Sequence, residues 1–179
     1  MDEYLNRLAS ADPVPGGGSA AMVVAAAACA LVAMVARICK DEGLAARADG
    51  LRGKALAHSD RDEKAFERVM QTRGEERQAA LAEAAAVPLE GMRIALDALH
   101  LSANALALGN VNLVSDAGCA AEFAQAGLMG CAYNVRINHR FMKDAAKVTE
   151  QRALLEDYER EAAGLVASLR KAVNEALAR

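Results

Sequence analysis

Long apolar and amphipathic stretches alternate with short polar breaks along the chain. The segment after PVPGGGS, which spans 13–19, reads AAMVVAAAACALVAMVA and carries no charge before Arg37. A helix that is apolar all round is stable only when other helices or a partner subunit surround it. The pattern therefore predicts a buried helix from about Ser19 to Lys40, preceded by a short helix near 2–10.

The remaining stretches predict amphipathic helices separated by polar breaks. Breaks are expected at Asp41-Glu42-Gly43, at Gly74 and at LGNVNLVSDAG (108–118), where Ser115 or Asp116 can cap the next helix, and Pro88 predicts a kink or break. The helix after this loop is expected to run through NVRINHRFMKD to about Val148, and a last one covers 151–177. No segment alternates in the manner of a strand. We predict one all-α domain over 1–179, a bundle of long antiparallel helices.

The stretch 16–36 is also long enough to cross a bilayer at about 1.5 Å per residue. Alanine dominates it and no aromatic residue flanks either end, which favours a buried helix over a membrane span. The start, MDEYLNRLAS, lacks the apolar region of a signal peptide. The four cysteines form no CxxC pair and lie in apolar segments, as reduced thiols of a cytoplasmic protein do. A formal net charge of −3 gives no reason to expect nucleic acid as a partner.

Two groups of residues near the first breaks could carry chemistry. The first group is the run of glycines before the apolar helix, which lets the backbone approach a ligand. The first N–H groups of the helix would then attract anionic or carbonyl oxygens of that ligand. The alternative is a plain helix start that is capped by Ser19. In SDRDEKAFERVM (59–70), carboxylates including Asp62 could act as acid or base, or could form a solvated face. His58 lies one turn before Asp62, but without a third ligand we expect no metal site. The glycine group consists of Gly16, Gly17 and Gly18.

Two later stretches offer amide and carboxylate groups that could read the polar edge of a heterocycle. In the first of them, the same groups could instead serve only as loop and cap residues. In the second, two asparagines lie four residues apart on one face of an apolar helix, which favours a hydrogen-bonding role. The residues are Asn110, Asn112, Ser115 and Asp116 in the first stretch, and Asn134 and Asn138 in the second.

Five separated motifs occur here in the order known from one family. They are PVPGGGSAA, DEKAF, VPLE at 87–90, GNVNLVSDAG and NVRIN, and they extend from about Leu8 to Asp144. The chain resembles the cyclodeaminase domain of formiminotransferase-cyclodeaminase and its stand-alone bacterial relatives, which include methenyltetrahydrofolate cyclohydrolases. This resemblance implies an all-helical, homodimeric enzyme of folate one-carbon metabolism, with no cofactor beyond tetrahydrofolate as the one-carbon carrier.

The resemblance implies one of two reactions at a carbon held between N5 and N10 of the folate. One is hydrolysis of 5,10-methenyltetrahydrofolate to 10-formyltetrahydrofolate, and the other is closure of 5-formiminotetrahydrofolate with loss of ammonia. We place the hydrolysis first because this chain carries no formiminotransferase domain. A member that binds folate or a partner without catalysis is the third alternative.

The resemblance also implies roles for the residues that match the motifs of the family. Asp62 and Asp116 are the two candidates for the acid/base group and the pterin-binding carboxylate, in either order. The glycines and Ser19 would present backbone and hydroxyl donors, and the five amide and hydroxyl residues of the later stretches would complete the folate site. Candidate cations for the glutamate tail of folate are Arg37, Lys40, Arg136 and Arg140.

The chain departs from the family pattern at two places. A stretch containing Leu-Pro-Lys, which many members carry after DEKAFERVM, is absent, and Arg73 or Arg77 would have to substitute for its lysine. Val111 also stands in GNVN where the family commonly has proline. These changes leave room for a divergent substrate.

Overall fold

The computed structural model describes residues 1–178, and these residues form α-helices joined by short turns. No strand occurs within residues 1–178, so the predicted all-α helical bundle is confirmed. The helices are α1 (Asp2–Leu8), α2 (Gly17–Ile38), α3 (Glu42–Gln71), α4 (Gly74–Ala107), α5 (Val114–His139) and α6 (Ala145–Leu177), with a 3-10 turn at Val111–Leu113.

α2 is the central helix and packs against α3, α4 and α5. Glycines on α5 allow this helix to approach α2 closely: a Cβ at Gly127 would lie 2.9 Å from the carbonyl oxygen of Ala21, and one at Gly130 would lie 2.8 Å from Ala21 Cβ. The most apolar 18-residue window of α2 has the length and hydropathy of a membrane span, but 61% of it is buried in the bundle. This burial supports the interpretation of α2 as a core helix, and the lack of membrane contact stays a prediction.

Two helix boundaries differ from the prediction because polar side chains start new helices. α5 ends at His139 and does not continue to Val148. Asp144 begins α6 there, since its Oδ1 accepts the backbone N–H of Lys147 at 3.0 Å. Asp41 caps α3 in the same way through Leu44, with an O···N distance of 2.9 Å. A carboxylate at this position satisfies one of the free N–H groups of a helix start.

The break before α5 is shorter than predicted. Asn110 Oδ1 accepts the backbone N–H of Asn112 at 3.1 Å, which starts the 3-10 turn, and α5 follows at Val114. Ser115 and Asp116 are therefore inside the first turn, and the prediction that one of them caps the helix is wrong. Asp116 instead places its carboxylate near the positive end of the helix dipole.

Of the kink or break predicted at Pro88, the break does not occur, because α4 continues through this residue. Proline has no N–H, so the carbonyl oxygen of Ala84, four residues earlier, loses its helical donor. The side-chain amide of Asn138 on α5 donates to that oxygen at 2.8 Å. A neighbouring helix therefore supplies the missing hydrogen bond, which sequence periodicity alone does not reveal.

The cysteines agree only in part with the predicted core positions. All four are free thiols; Cys29 and Cys131 are buried, Cys39 is half-buried and Cys119 is exposed. Burial raises the pKa of Cys29 to about 11 and that of Cys131 to about 12, which makes both thiols unreactive near neutral pH.

Candidate functional site

A cavity of about 250 Å³ lies between α3, α4 and the C-terminal end of α5. A small apolar cluster, separate from the main core, supplies Val69, Leu81 and Ala84 to its lining. The loop before α2 forms another side through residues that include Gly16 and Gly17. The polar and charged side chains of the lining are Asp62, Arg77, Asn134 and Asn138.

Asp62 is the carboxylate of this cavity. Burial raises its pKa above the ordinary value of an aspartate, and the neighbouring charge of Glu63 adds to this effect. The backbone N–H of Ser19 donates to the carboxylate and partly offsets the rise. A carboxyl group whose pKa is raised by burial can both hold and release a proton nearer to neutral pH, as acid–base catalysis requires.

The second and third glycines of PVPGGGS differ in what they contact. A Cβ on Gly18 would lie 2.5 Å from Asp62 Oδ2 and 2.6 Å from Asp62 Cγ, which is too close for any side chain. A Cβ on Gly17 would lie 3.4 Å from Nδ2 of Asn134, an ordinary contact. Gly18 therefore creates the space in which the Asp62 carboxylate meets the start of α2.

Ser19 is fully buried within a network of hydroxyl and carboxylate groups. Its Oγ lies 2.7 Å from Ser59 Oγ and 3.0 Å from the hydroxyl of Tyr4, and it donates to Glu63 Oε1 at 3.2 Å. Arg7 of α1 donates to the other oxygen of Glu63 at 2.6 Å. Ser19 therefore makes no side-chain cap of α2, whose N-cap is Gly16, and the contact that it makes with Asp62 is through its backbone.

The two asparagines of NVRIN lie on one face of α5, as predicted, and both line the cavity. Asn138 uses both hydrogens of its amide, one for Ala84 and one for the carbonyl oxygen of Asn134 at 2.9 Å. Asn134 donates to the carbonyl oxygen of Gly130 at 2.9 Å. Its own side-chain oxygen accepts no hydrogen bond within residues 1–178, which leaves it available to a ligand.

The polar residues of GNVNLVSDAG lie at the opposite end of the bundle. Asp116 and Asn134 are on the same helix, and 18 residues at about 1.5 Å each separate them by roughly 27 Å. Asn110 contacts Cys39, with 3.8 Å between its Nδ2 and the sulfur. A single chain therefore does not bring Asn110, Asn112, Ser115 or Asp116 to the cavity that contains Asp62.

None of the four cations proposed for a folate tail lines the cavity. Arg37 pairs with Asp49, and Arg136 donates to Glu159 at 2.7 Å. The guanidinium that does line it is Arg77, one of the two arginines suggested as substitutes for the missing lysine.

Part of the cavity lining is apolar, and the sequence did not predict it. Phe66 and Met70 are 39% and 52% exposed, and they line the cavity together with Ile137 and Phe141. Phe66 and Met70 lie four and eight residues after Asp62 on α3, and this helical spacing was the available signal.

His58 lies outside the cavity lining, where its Nε2 is 3.1 Å from Glu90 Oε2 and 2.9 Å from Arg61. Within residues 1–178, no three histidine, cysteine, aspartate or glutamate side chains are arranged to hold a metal ion.

Known proteins are similar to this chain in sequence and in fold. A sequence model described as formiminotransferase-cyclodeaminase matches residues 1–157. The methenyltetrahydrofolate cyclohydrolase of Methylorubrum extorquens is 34% identical, over 92% of this chain and 91% of that protein. The formiminotetrahydrofolate cyclodeaminase of Thermotoga maritima superposes with a TM-score of 0.94 at 30% identity, over 99% of this chain and 96% of the other. The predicted resemblance is thereby confirmed, and the chain belongs to the formiminotransferase-cyclodeaminase family.

Proposed function

We propose that this protein is a folate enzyme that hydrolyses 5,10-methenyltetrahydrofolate to 10-formyltetrahydrofolate. The similarity to the Methylorubrum cyclohydrolase along nearly the whole chain supports this choice. The observation that carries the proposal is the Asp62 carboxylate, whose pKa is raised by burial in a cavity that also holds Asn134 and the start of α2. A cavity of about 250 Å³ accommodates part of a folate, and the rest extends across its open side.

Asp62 acts in this proposal as a proton carrier between water and the folate. The methenyl bridge is a cation, so an ionised carboxylate favours its binding. Water adds its oxygen to the bridge carbon and gives one proton to Asp62. The bond from that carbon to N5 then breaks with its electron pair on N5, which takes the proton back from Asp62. The second proton of the water leaves to solvent, and the formyl group remains on N10.

The backbone around Asp62 fixes the geometry of these steps. The Ser19 N–H holds the carboxylate, and the absence of a side chain at Gly18 lets it approach the start of α2. The Asn134 side-chain oxygen supplies an acceptor for an N–H of the substrate. Positioning of this kind supplies much of the rate that acid–base groups alone do not.

Closure of formiminotetrahydrofolate with loss of ammonia is the second candidate. It is favoured by the close structural match to the Thermotoga cyclodeaminase. The reaction needs N10 to attack the formimino carbon and a proton to reach the departing nitrogen. The same carboxylate can deliver that proton, so both reactions require Asp62.

We also propose that the protein is a homodimer in the cytoplasm. α2 keeps an apolar stripe at least partly open to solvent, formed by Val23, Ala27, Met34 and Ile38 at helical spacing, and a second copy would cover it. Four free thiols fit a reducing compartment. Met34→Glu should give a monomer by sedimentation, whereas Leu56→Glu, at a similarly exposed position of α3, should not. If Met34→Glu remains a dimer, α2 is not part of the interface.

The pterin-binding role that we propose for Asp116, with Asn110, Asn112 and Ser115 beside it, depends on this dimer. The roughly 27 Å along α5 prevents Asp116 from reaching the Asp62 cavity of its own chain. A second copy is the route by which both carboxylates would contact one folate.

The test of the proposed function is the loss of methenyltetrahydrofolate absorbance in the presence of purified protein. We expect the protein to accelerate the loss of absorbance. The rate should fall about 10²- to 10⁴-fold in Asp62→Asn and should be unchanged in Asp60→Asn, an exposed neighbour on the same helix. Release of ammonia from formiminotetrahydrofolate without loss of the methenyl compound would move the assignment to the cyclodeaminase. Binding of folate without either reaction would identify a non-catalytic member.

A further inference from the structure

Among the residues that the structure describes, Arg77 is the only cation whose side chain lines the Asp62 cavity. It lies in the first turns of α4, is half-buried, and makes no ion pair within residues 1–178. Its neighbours are differently placed: Arg68 donates to Glu83 at 2.6 Å, and Arg73 donates to the carbonyl oxygens of Met70 and Thr72. A guanidinium that lines a cavity without a carboxylate partner keeps its N–H donors available, so an anionic ligand at this position would be bound favourably.

The distance along the cavity limits what that ligand can be. Asp62, Phe66 and Met70 follow one face of α3, and the separation of eight positions from the first to the last corresponds to about 12 Å. Arg77 follows Met70 across the short turn between α3 and α4, so it lies at the end of the cavity opposite to Asp62. The site therefore presents a carboxylate at one end and a guanidinium at the other.

The surface between these two charged groups is apolar and partly aromatic. Phe66, Ile137 and Phe141 supply it, and all three are between 39% and 57% exposed. Exposed aromatic rings at a cavity rim favour contact with a flat ring of a ligand. The preferred ligand thus has a reacting cation at one end, an aromatic ring in the middle and a carboxylate at the other end.

We infer that Arg77 binds the α-carboxylate of the glutamate of the folate substrate. This inference rests on the proposed function, because it places the reacting carbon at Asp62. From that carbon, the aminobenzoyl ring and one amide bond lead to the α-carboxylate over roughly 10 Å at ordinary covalent lengths. Arg77 thereby selects folates that carry glutamate over pteroates, which end at the benzoyl group.

The experiment compares two substrates and two variants. The substrates are methenyltetrahydrofolate and methenyltetrahydropteroate, which lacks the glutamate, and the variants are Arg77→Gln and the matched charge control Arg73→Gln. A charge-assisted hydrogen bond corresponds to about 10- to 100-fold in binding, so wild type should prefer the folate by that factor in KM. Arg77→Gln should lose the preference with kcat nearly unchanged, Arg73→Gln should keep it, and Arg77→Lys should recover part of it.

The outcomes separate this inference from the proposed function. Equal KM values of wild type for the two substrates, or an equal rise for both in Arg77→Gln, would overturn the role of Arg77 while the hydrolase assignment stands. If wild type converts neither substrate, the proposed function fails. Equilibrium binding of tetrahydrofolate and tetrahydropteroate then tests the role of Arg77. Tighter binding of tetrahydrofolate that is lost only in Arg77→Gln supports the inference, and equal binding of the two compounds to wild type overturns it.

Discussion

The side-chain amide of Asn138 donates to the carbonyl oxygen of Ala84, the oxygen that Pro88 leaves without a helical donor. This contact joins α5 to α4 beside the cavity and lets α4 continue through a proline. It also gives Asn138 a role in the fold in addition to the folate-binding role that we propose for it.

Asn138→Ala should therefore lower the free energy of unfolding by about 1–3 kcal/mol, the cost of a carbonyl left unsatisfied. In a Pro88→Ala background the N–H of residue 88 can serve Ala84, so the same substitution should cost at least about 1 kcal/mol less. Urea unfolding of the four proteins of this cycle measures the difference. Asn134→Ala is the control, because the carbonyl oxygen of Gly130 already has a helical donor and little stability should be lost. Additive effects of Asn138→Ala and Pro88→Ala would contradict this account.

Gly18→Ala should inactivate the enzyme without unfolding it. The new Cβ would lie 2.6 Å from Asp62 Cγ, so the carboxylate must move away from the start of α2. A displacement on the order of 1 Å at a reacting group costs about 10²-fold in kcat. Gly17→Ala, whose Cβ meets only an ordinary contact, should keep most of the activity. Equal activity of the two variants would show that the position of Asp62 does not depend on Gly18.

The contact between Gly18 and Asp62 illustrates what the sequence could and could not predict. Apolar periodicity located the helices and the central position of α2, because burial follows directly from the lack of charge. Capping and pairing across helices were not predictable: Asp144 starting α6, and Asn138 serving Ala84, both depend on which residues meet in space. The sequence likewise could not show that Asp62 and Asp116 lie at opposite ends of the bundle. Each lies in a motif that could bind a ligand, and the motifs alone do not reveal how far apart they are in space.

The stability of the protein should depend on pH through Asp62. Burial raises the pKa of this carboxyl group in the folded state, so between the ordinary and the raised value the folded chain binds more protons than the unfolded chain. The free energy of unfolding therefore falls as pH rises through this window, and the loss remains at neutral pH.

Asp62→Asn removes this loss, so its Tm at pH 7 should exceed that of wild type. The difference should shrink below about pH 4, where the carboxyl group is protonated in both states. Thermal unfolding between pH 3.5 and 8, with Asp60→Asn as control, measures it. A Tm difference that does not change with pH would rule out Asp62 as its source.

A site shared between two chains should be visible in mixtures of inactive variants. Asp62→Asn and Asp116→Asn are each expected to lose most of their activity if both carboxylates contact one folate. Refolded together, about half of the dimers are hybrids, and each hybrid contains one site with both native carboxylates, so about one quarter of the wild-type activity should return. Asp62→Asn mixed with Gly18→Ala should regain nothing, because both changes lie in the same half of the site. Full activity of Asp116→Asn alone would show that Asp116 is not part of the site. If both variants are inactive but do not complement each other, the two carboxylates do not act on one folate in a shared site.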